Sequence, residues 1–208
     1  MHLRAPAILL SARPHGETAV IARLLTEEYG LLAGYVAGGR GRNLRPVVIP
    51  GNLVEAELRA KSDSQLPFAR LELAESRGPW LSEPLPAAAI GWVTALTATI
   101  LPERNSYPPL FSALSGLLTA ICSAGSARDW AGALVAYEVL LLRELGYGNE
   151  NRGEARRPAP GASLEEIMVQ FDRLAKPLQR YLLADRRGDV MAARALLGAR
   201  LQRMAGTD

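Results

Sequence analysis

A single cysteine, Cys122, stands in 208 residues. One thiol cannot close an intrachain disulfide, so nothing in the chain calls for an oxidising compartment. Histidine is almost as scarce, with only His2 and His15. One cysteine and two distant histidines cannot furnish a structural zinc site. Lysine is nearly missing too: of 24 cationic side chains, only Lys61 and Lys176 are lysine. Arginine is permanently charged and forks onto phosphate through paired N–H donors. A GC-rich coding sequence produces the same bias, and a formal charge of +3 suggests a polyanionic partner without establishing one.

Long hydrophobic runs are also wanting. The longest mostly apolar segment, 85–101, contains Gly91 and three threonines and is bounded by prolines, which leaves it short of a membrane span. The N-terminal apolar run 5–12 is too brief for a secretory leader and lacks a small-x-small cleavage site. The expectation is a cytoplasmic protein with no membrane partner. "GGRGR" lacks the lysine–hydroxyl pair of a nucleotide-binding loop, so no cofactor is expected. His15 and Glu17 share a turn, but nothing else converges on them, and the turn reads as structural. The chain is not expected to be an enzyme.

What is present is an apolar fraction of 49% against 22% charged, the balance of a folded globular chain. The unusual stretch is "GYVAGGRGRNLRP", residues 34–46, with four glycines and three arginines, Arg40, Arg42 and Arg45. No acidic residue lies between Glu28 and Glu55 to neutralise them. On composition alone these are solvated arginines on a flexible turn, or cations held ready for a polyanion.

The hydrophobic period changes along the chain. Five stretches read as strands: 7–13, 18–25, 30–39, 52–61 and 68–76, the first two flanking the turn "PHGE". In 52–61, Val54, Ala56, Leu58 and Ala60 alternate with Glu55, Glu57, Arg59 and Lys61. In 68–76, Ala69, Leu71 and Leu73 point inward. Five short strands suit a small OB-like β-barrel. After the proline-rich "RGPWLSEPLPAA" (77–88) the period turns helical, over 87–101, 108–124, 129–147, 163–183 and 188–204. Asp129 is expected to cap the third of these and Gly146 to stop it. A capping box, Ser163 with Glu166, opens the fourth, and Pro177 should kink or split it. Cys122 and the three tryptophans read as packing residues. The expectation is an α+β protein, an OB-like barrel at 1–78 and an all-helical domain at 79–208, with a Gly/Pro/Arg linker at 148–162.

The run "HGETAVIARLLTEEYGLLAGYVAGGRGR" (15–42) resembles the start of the RecO family of bacterial recombination mediators, and "YEVLLLRELGYG" (137–148) resembles that family's helical core. Many such proteins follow "LGY" with a four-cysteine zinc knuckle. Here that place holds "GNENRGEARRPAPGA", with Arg152, Arg156 and Arg157 and no cysteine. The resemblance implies homologous-recombination repair: binding of single- and double-stranded DNA, docking of the acidic tail of single-stranded-DNA-binding protein, pairing with RecR, and promotion of RecA loading and strand annealing near the nucleoid.

Against that expectation Arg40, Arg42 and Arg45 become phosphate contacts, with Arg13 and Lys61 on the same barrel. Tyr29, Tyr35 and Phe68 are the only other aromatic side chains before the boundary, so stacking is expected to be limited and phosphate contact dominant. Arg173, Lys176 and Arg180 recur at helical spacing, followed by Arg186 and Arg187. They form a solvated face, extra DNA contacts, or a cationic rim for the acidic tail, with Leu140, Leu141 and Tyr147 as apolar lining. The alternative function is an OB-type RNA-binding, translation-associated module. The purified protein is expected to carry no stoichiometric zinc, and chelators to leave its Tm unmoved. Metal analysis and a chelator melt check both.

Overall fold

The computed structural model describes residues 1–62, 64–148, 156–185 and 190–205. It divides into two compact units, Met1–Glu83 with Thr94–Phe111, and Pro84–Val93 with Ser112–Asp208.

The first unit is built on five strands: β1 His2–His15, β2 Ala19–Thr26, β3 Gly30–Val36, β4 Leu53–Arg59 and β5 Phe68–Glu75. They close into a barrel in the order β1-β2-β3-β5-β4. Closure rests on β1, which at 14 residues is twice the length the apolar run 7–13 suggests. Its first half pairs with β4 from His2↔Arg59 to Ile8↔Leu53. Its second half pairs with β2 from Ala7↔Thr26 to His15↔Ala19, with a register shift between Leu9 and Ser11 where the strand bends. The last seam is a short parallel contact, Tyr35↔Phe68, in which the Tyr35 N–H donates to the Pro67 carbonyl at 2.8 Å.

Alternation fills the interior. Leu9, Leu24, Val54 and Leu58 are fully buried beside small residues, Ala7, Ala22 and Ala56. Mixing large and small side chains suits a barrel of few strands. Gly34 belongs to this economy, because a Cβ there would sit 2.7 Å from the Ala69 Cβ across the β3–β5 seam. Ile8, Leu25 and Leu31 are buried on the opposite side of the sheet. The segment 94–111 reaches that side: the Arg104 N–H donates to the Leu31 carbonyl at 2.9 Å, and Arg23 pairs with Glu103 at 3.4 Å. One inward assignment fails. Leu73 is 42% exposed although it pairs with the buried Val54, so the covered part of β5 ends at Leu71.

The helices are α1 Pro84–Ile100, α2 Pro108–Ser123, α3 Arg128–Glu144, α4 Leu164–Pro177 and α5 Val190–Ala205. Among the described residues none is long and apolar enough to cross a membrane. Asp129 lies inside the first turn of α3 rather than at its cap, accepting from the Ser126 N–H and hydroxyl. The far end of α3 closes as a Schellman motif: Gly146 takes φ +95°, its N–H donates to Arg143, and the Tyr147 N–H donates to Leu142 at 2.8 Å. That accounts for "LGY". The Ser163–Glu166 capping box opens α4. Pro177 has no N–H to continue the ladder, and the chain passes into a wider π-helical turn, Leu178–Leu183. Trp92 and Trp130 are buried, whereas Trp80 and Cys122 are only half-buried.

A buried ion pair holds the second unit. Glu138 on α3 is fully buried and accepts from Trp92 Nε1 on α1 at 2.8 Å. Arg194 on α5 grips it bidentately, Nε to Oε1 at 3.0 Å and Nη2 to Oε2 at 2.7 Å. The guanidinium also donates to the Phe171 carbonyl on α4 and lies 3.7 Å from that residue's ring centroid. Burial pushes the Glu138 carboxyl up, against the pull of Arg194 and Trp92. Four helices therefore meet at one guanidinium. Removing either charge should cost about 3–5 kcal/mol, while Glu138→Leu with Arg194→Met together should cost much less than the sum. Urea denaturation of the singles and the double checks this.

Candidate nucleic-acid interface

The arginine stretch joins β3 to β4, and it is not loose. Gly38 takes φ +66°, and a Cβ on Gly39 would lie 2.6 Å from Val20 Cγ2. These glycines let the chain fold tightly against β2. Successive turns follow: Gly41 N–H to Gly38 carbonyl at 2.8 Å, Arg45 N–H to Gly41 carbonyl at 2.9 Å, Val47 N–H to Leu44 carbonyl at 2.9 Å. Leu44, Val47 and Val48 pack against the barrel core. Of the two readings left open for this stretch, close approach explains the glycines, and hydrogen bonds hold the backbone.

Asn52 does the pinning. It is fully buried, and its side-chain N–H groups donate to the Pro46 carbonyl at 2.9 Å and the Val47 carbonyl at 3.0 Å. Its Oδ1 accepts the Arg77 N–H at 2.7 Å, and its own carbonyl accepts the Leu9 N–H at 2.9 Å. The side-chain amide ties the loop to the chain leaving β5, and the main-chain carbonyl of the same residue holds β1. Its signal in the sequence is slight, an asparagine after glycine that reads as an ordinary turn.

Arg40, Arg42 and Arg45 are all exposed. Arg40 is anchored at the first hairpin, its N–H on the Thr18 carbonyl at 2.9 Å and its Nη1 on the Glu17 carbonyl at 2.9 Å. Its other N–H donors are left to solvent or a ligand. Arg13, exposed, stands in the β1 arm of the same hairpin opposite Ile21. Among the described residues none of Arg13, Arg40, Arg42, Arg45 and Lys61 makes an ion pair. The barrel's other outward cations do: Arg4 with Glu55 and Glu72, Arg70 with Glu72, Arg59 with Glu57. Hydrogen bonds from Arg59 and His2 hold the Glu57 carboxyl down to about 2, so this face stays zwitterionic at neutral pH. Arg4, Arg59 and Arg70 are neutralised by neighbouring carboxylates, whereas Arg13 at the hairpin end of β1 and the loop arginines are not, among the described residues.

Aromatic side chains gather beside these cations. His15 meets Tyr35 edge-on at 5.8 Å, and Tyr35 meets Phe68 edge-on at 5.3 Å. Alternation in β5 already sends Phe68 outward once Ala69 is inward. What the sequence conceals is that β5 lies beside β3, which brings the three rings into one row.

In the second unit, Leu140 and Leu141 lie in the core at 5% and 0% exposure and offer no surface to a partner, so they leave the proposed lining. Tyr147 is half-buried and stacks on Tyr181 at 5.1 Å, with Arg180 over the Tyr181 ring at 5.2 Å. Arg173 is exposed and joins Arg156 and Arg157 around a cleft of about 320 Å³ that is also lined by Pro158, Ala162, Val169 and one carboxylate, Glu166, which is engaged in the α4 capping box. Lys176 is exposed on α4. Arg152, Arg186 and Arg187 lie outside the described residues.

Residues 1–77 match the Recombination protein O N terminal family, and residues 82–156 match its C terminal counterpart. A DNA repair protein RecO of Caulobacter sp. strain K31 is 32% identical over 175 residues, 84% of this chain and 69% of the relative. This chain belongs to the RecO family. The DNA repair proteins RecO of Rhodospirillum centenum and Rhodospirillum rubrum are 44% and 40% identical, each over 68% of this chain. The matched stretch spans only 56% and 57% of those two RecO proteins. The four-cysteine knuckle of many RecO proteins does not fit this member. It has one cysteine, and among the described residues no three His, Cys, Asp or Glu side chains cluster to hold a metal.

Replacing Asn52 tests the pinning. Asn52→Ala strands the buried Val47 carbonyl and the Arg77 N–H, frees the part-buried Pro46 carbonyl, and should cost about 2–4 kcal/mol. Asn52→Asp sets a carboxylate against two carbonyl oxygens, which raises its folded-state pKa above the unfolded value. Its penalty should be full above that raised value and shrink as pH falls, because the protonated acid donates again. Denaturant melts across pH 4–8 check the sign.

Proposed function

We propose that this chain is a non-catalytic DNA-binding protein of recombinational DNA repair, acting through an OB-type barrel. The observation that carries the reading is the separation of charge on the barrel. Arg4, Arg59 and Arg70 are neutralised by carboxylates, whereas Arg13, Arg40, Arg42, Arg45 and Lys61 are exposed without one among the described residues. Unneutralised arginines on a pinned backbone form a preorganised phosphate track, which binds by releasing counterions. The relatives' name, DNA repair protein RecO, supports the nature of the polyanion. Both single strands and duplex offer the phosphates required, so both are substrates of this surface.

Partner docking belongs to the helical unit. The cleft lined by Arg156, Arg157 and Arg173 with the exposed, apolar Val169 suits an acidic, hydrophobic peptide such as the tail of single-stranded-DNA-binding protein, since its three cations outnumber its one carboxylate, Glu166. Lys176 and Arg180 extend the basic charge along α4 and the turn after it, and Tyr147 with Tyr181 supplies an aromatic surface beside Arg180. Pairing with RecR, promotion of RecA loading and strand annealing at the nucleoid complete the proposal.

Salt titration tests the DNA-binding core of it. Arg42→Ala or Arg45→Ala should each reduce the slope of log K against log salt for single strands by roughly 0.7, similarly on different sequences. Arg→Lys at the same positions should keep the slope and lose some affinity. Arg4→Ala, whose charge is already paired, should leave the slope unchanged. Equal slopes for the parent and an Arg42→Ala/Arg45→Ala variant would show these arginines to be merely solvated.

A further inference from the structure

Phe68 is the most exposed large apolar side chain among the described residues, at 65%. It begins β5 at the parallel seam, where Tyr35 braces its ring edge-on at 5.3 Å. Phe68 lines two open clefts, each of about 660 Å³. The first is walled by Val36, Leu44 and Leu71 and carries Glu57 and Glu72 with their arginines. The second is lined by Ala60, Leu66, Gln65 and Lys61. Phe68 and Arg59 line both.

The first cleft offers phosphate no net positive charge. Two ionised carboxylates face the space, and both are already matched by Arg59 and Arg70. Apolar walls with polar groups at the edge admit instead a flat, neutral, hydrogen-bonding ring. Unneutralised cations flank the pair of clefts, with Lys61 at the second and Arg40 in the loop that supplies Leu44 to the first. A strand whose phosphates follow those cations can turn its bases toward Phe68. Only unpaired bases can do so, since duplex bases are already stacked and paired.

We propose that Phe68 is a wedge that stacks between two consecutive unpaired bases of a DNA strand, one base in each cleft, and that it makes this barrel prefer single strands over duplex. The inference rests on the proposed DNA binding of the barrel. It assigns the loop arginines to affinity for any DNA and Phe68 to the choice of single strands. Base–aromatic stacking has the strength required, and it tolerates every base because every base has a π-face.

The test uses the full chain at one salt concentration and three probes: a mixed-sequence single strand, the same strand carrying abasic sites throughout, and the blunt duplex. Phe68→Ala should weaken binding of the normal strand about ten-fold and change abasic-strand and duplex affinity by less than about two-fold. Phe68→Trp should retain affinity, and its added indole emission, above that of Trp80, Trp92 and Trp130, should be quenched by the normal strand and not by the abasic one. The wedge is overturned if Phe68→Ala binds the normal strand like the parent, or loses all three probes equally, or if the indole is not quenched. In the first case the DNA reading stands as long as Arg42→Ala and Arg45→Ala still lower the salt slope. A parent that binds no DNA overturns both. With RNA of the same sequence as a further probe, tighter binding of RNA than of the DNA strand overturns the choice of DNA as occupant.

Discussion

The buried amide of Asn52 is the constraint on which the rest of the first unit depends. A loop of about fifteen residues leaves β3 and returns to β4, and its carbonyls would otherwise point into the barrel end without partners. Asn52 satisfies two of them, at Pro46 and Val47, while binding the backbone of Arg77 and Leu9. Buried polar groups are costly unless paired, so one residue with donors and an acceptor in the right places locks loop, first strand and barrel exit at once. Arg45, next to the pinned Pro46, is placed by that lock, while Arg40 is held at the first hairpin by the Thr18 and Glu17 carbonyls.

The interface is a matter of what is left unpaired. Six of the barrel's charged groups, Arg4, Glu55, Glu57, Arg59, Arg70 and Glu72, cancel one another along β1, β4 and β5. Exposed pairs of this kind add little stability, but they remove net charge from a face. Where no carboxylate is supplied, the positive potential remains, and a rigid backbone spares a ligand the entropy of ordering the loop. The aromatic row lies where the two regions meet, so rings, neutralised charges and bare cations adjoin on one surface.

The helical unit is organised by a different device. Arg194 joins Glu138, Trp92 and Phe171, one group from each of four helices. A buried pair of this kind contributes little net stability over an apolar substitute, yet its directional bonds specify which helix faces meet. Leu140 and Leu141 are drawn into the same core, which is why they are not available to a partner.

Local patterning was legible in the chain. Alternation in 52–61 and 68–76, the capping box at Ser163, the stop at Gly146 and the bare arginines at 40, 42 and 45 are all properties of near neighbours, and near neighbours are what a sequence displays. The misses have different causes. Asp129 misses its cap locally, by accepting from Ser126 three residues before it. Leu73 is exposed although its cross-strand partner Val54 is buried. β1 runs to 14 residues because β4, distant in sequence, pairs with its first half. The row His15–Tyr35–Phe68 is the plainest instance of a distant segment deciding. Its members lie on three strands, and the parallel β3–β5 seam that unites them exists only once the barrel has closed. Composition told that the aromatic side chains were few; the closed barrel alone decided that they stand together, because ring contact depends on distance in space and not on separation along the chain.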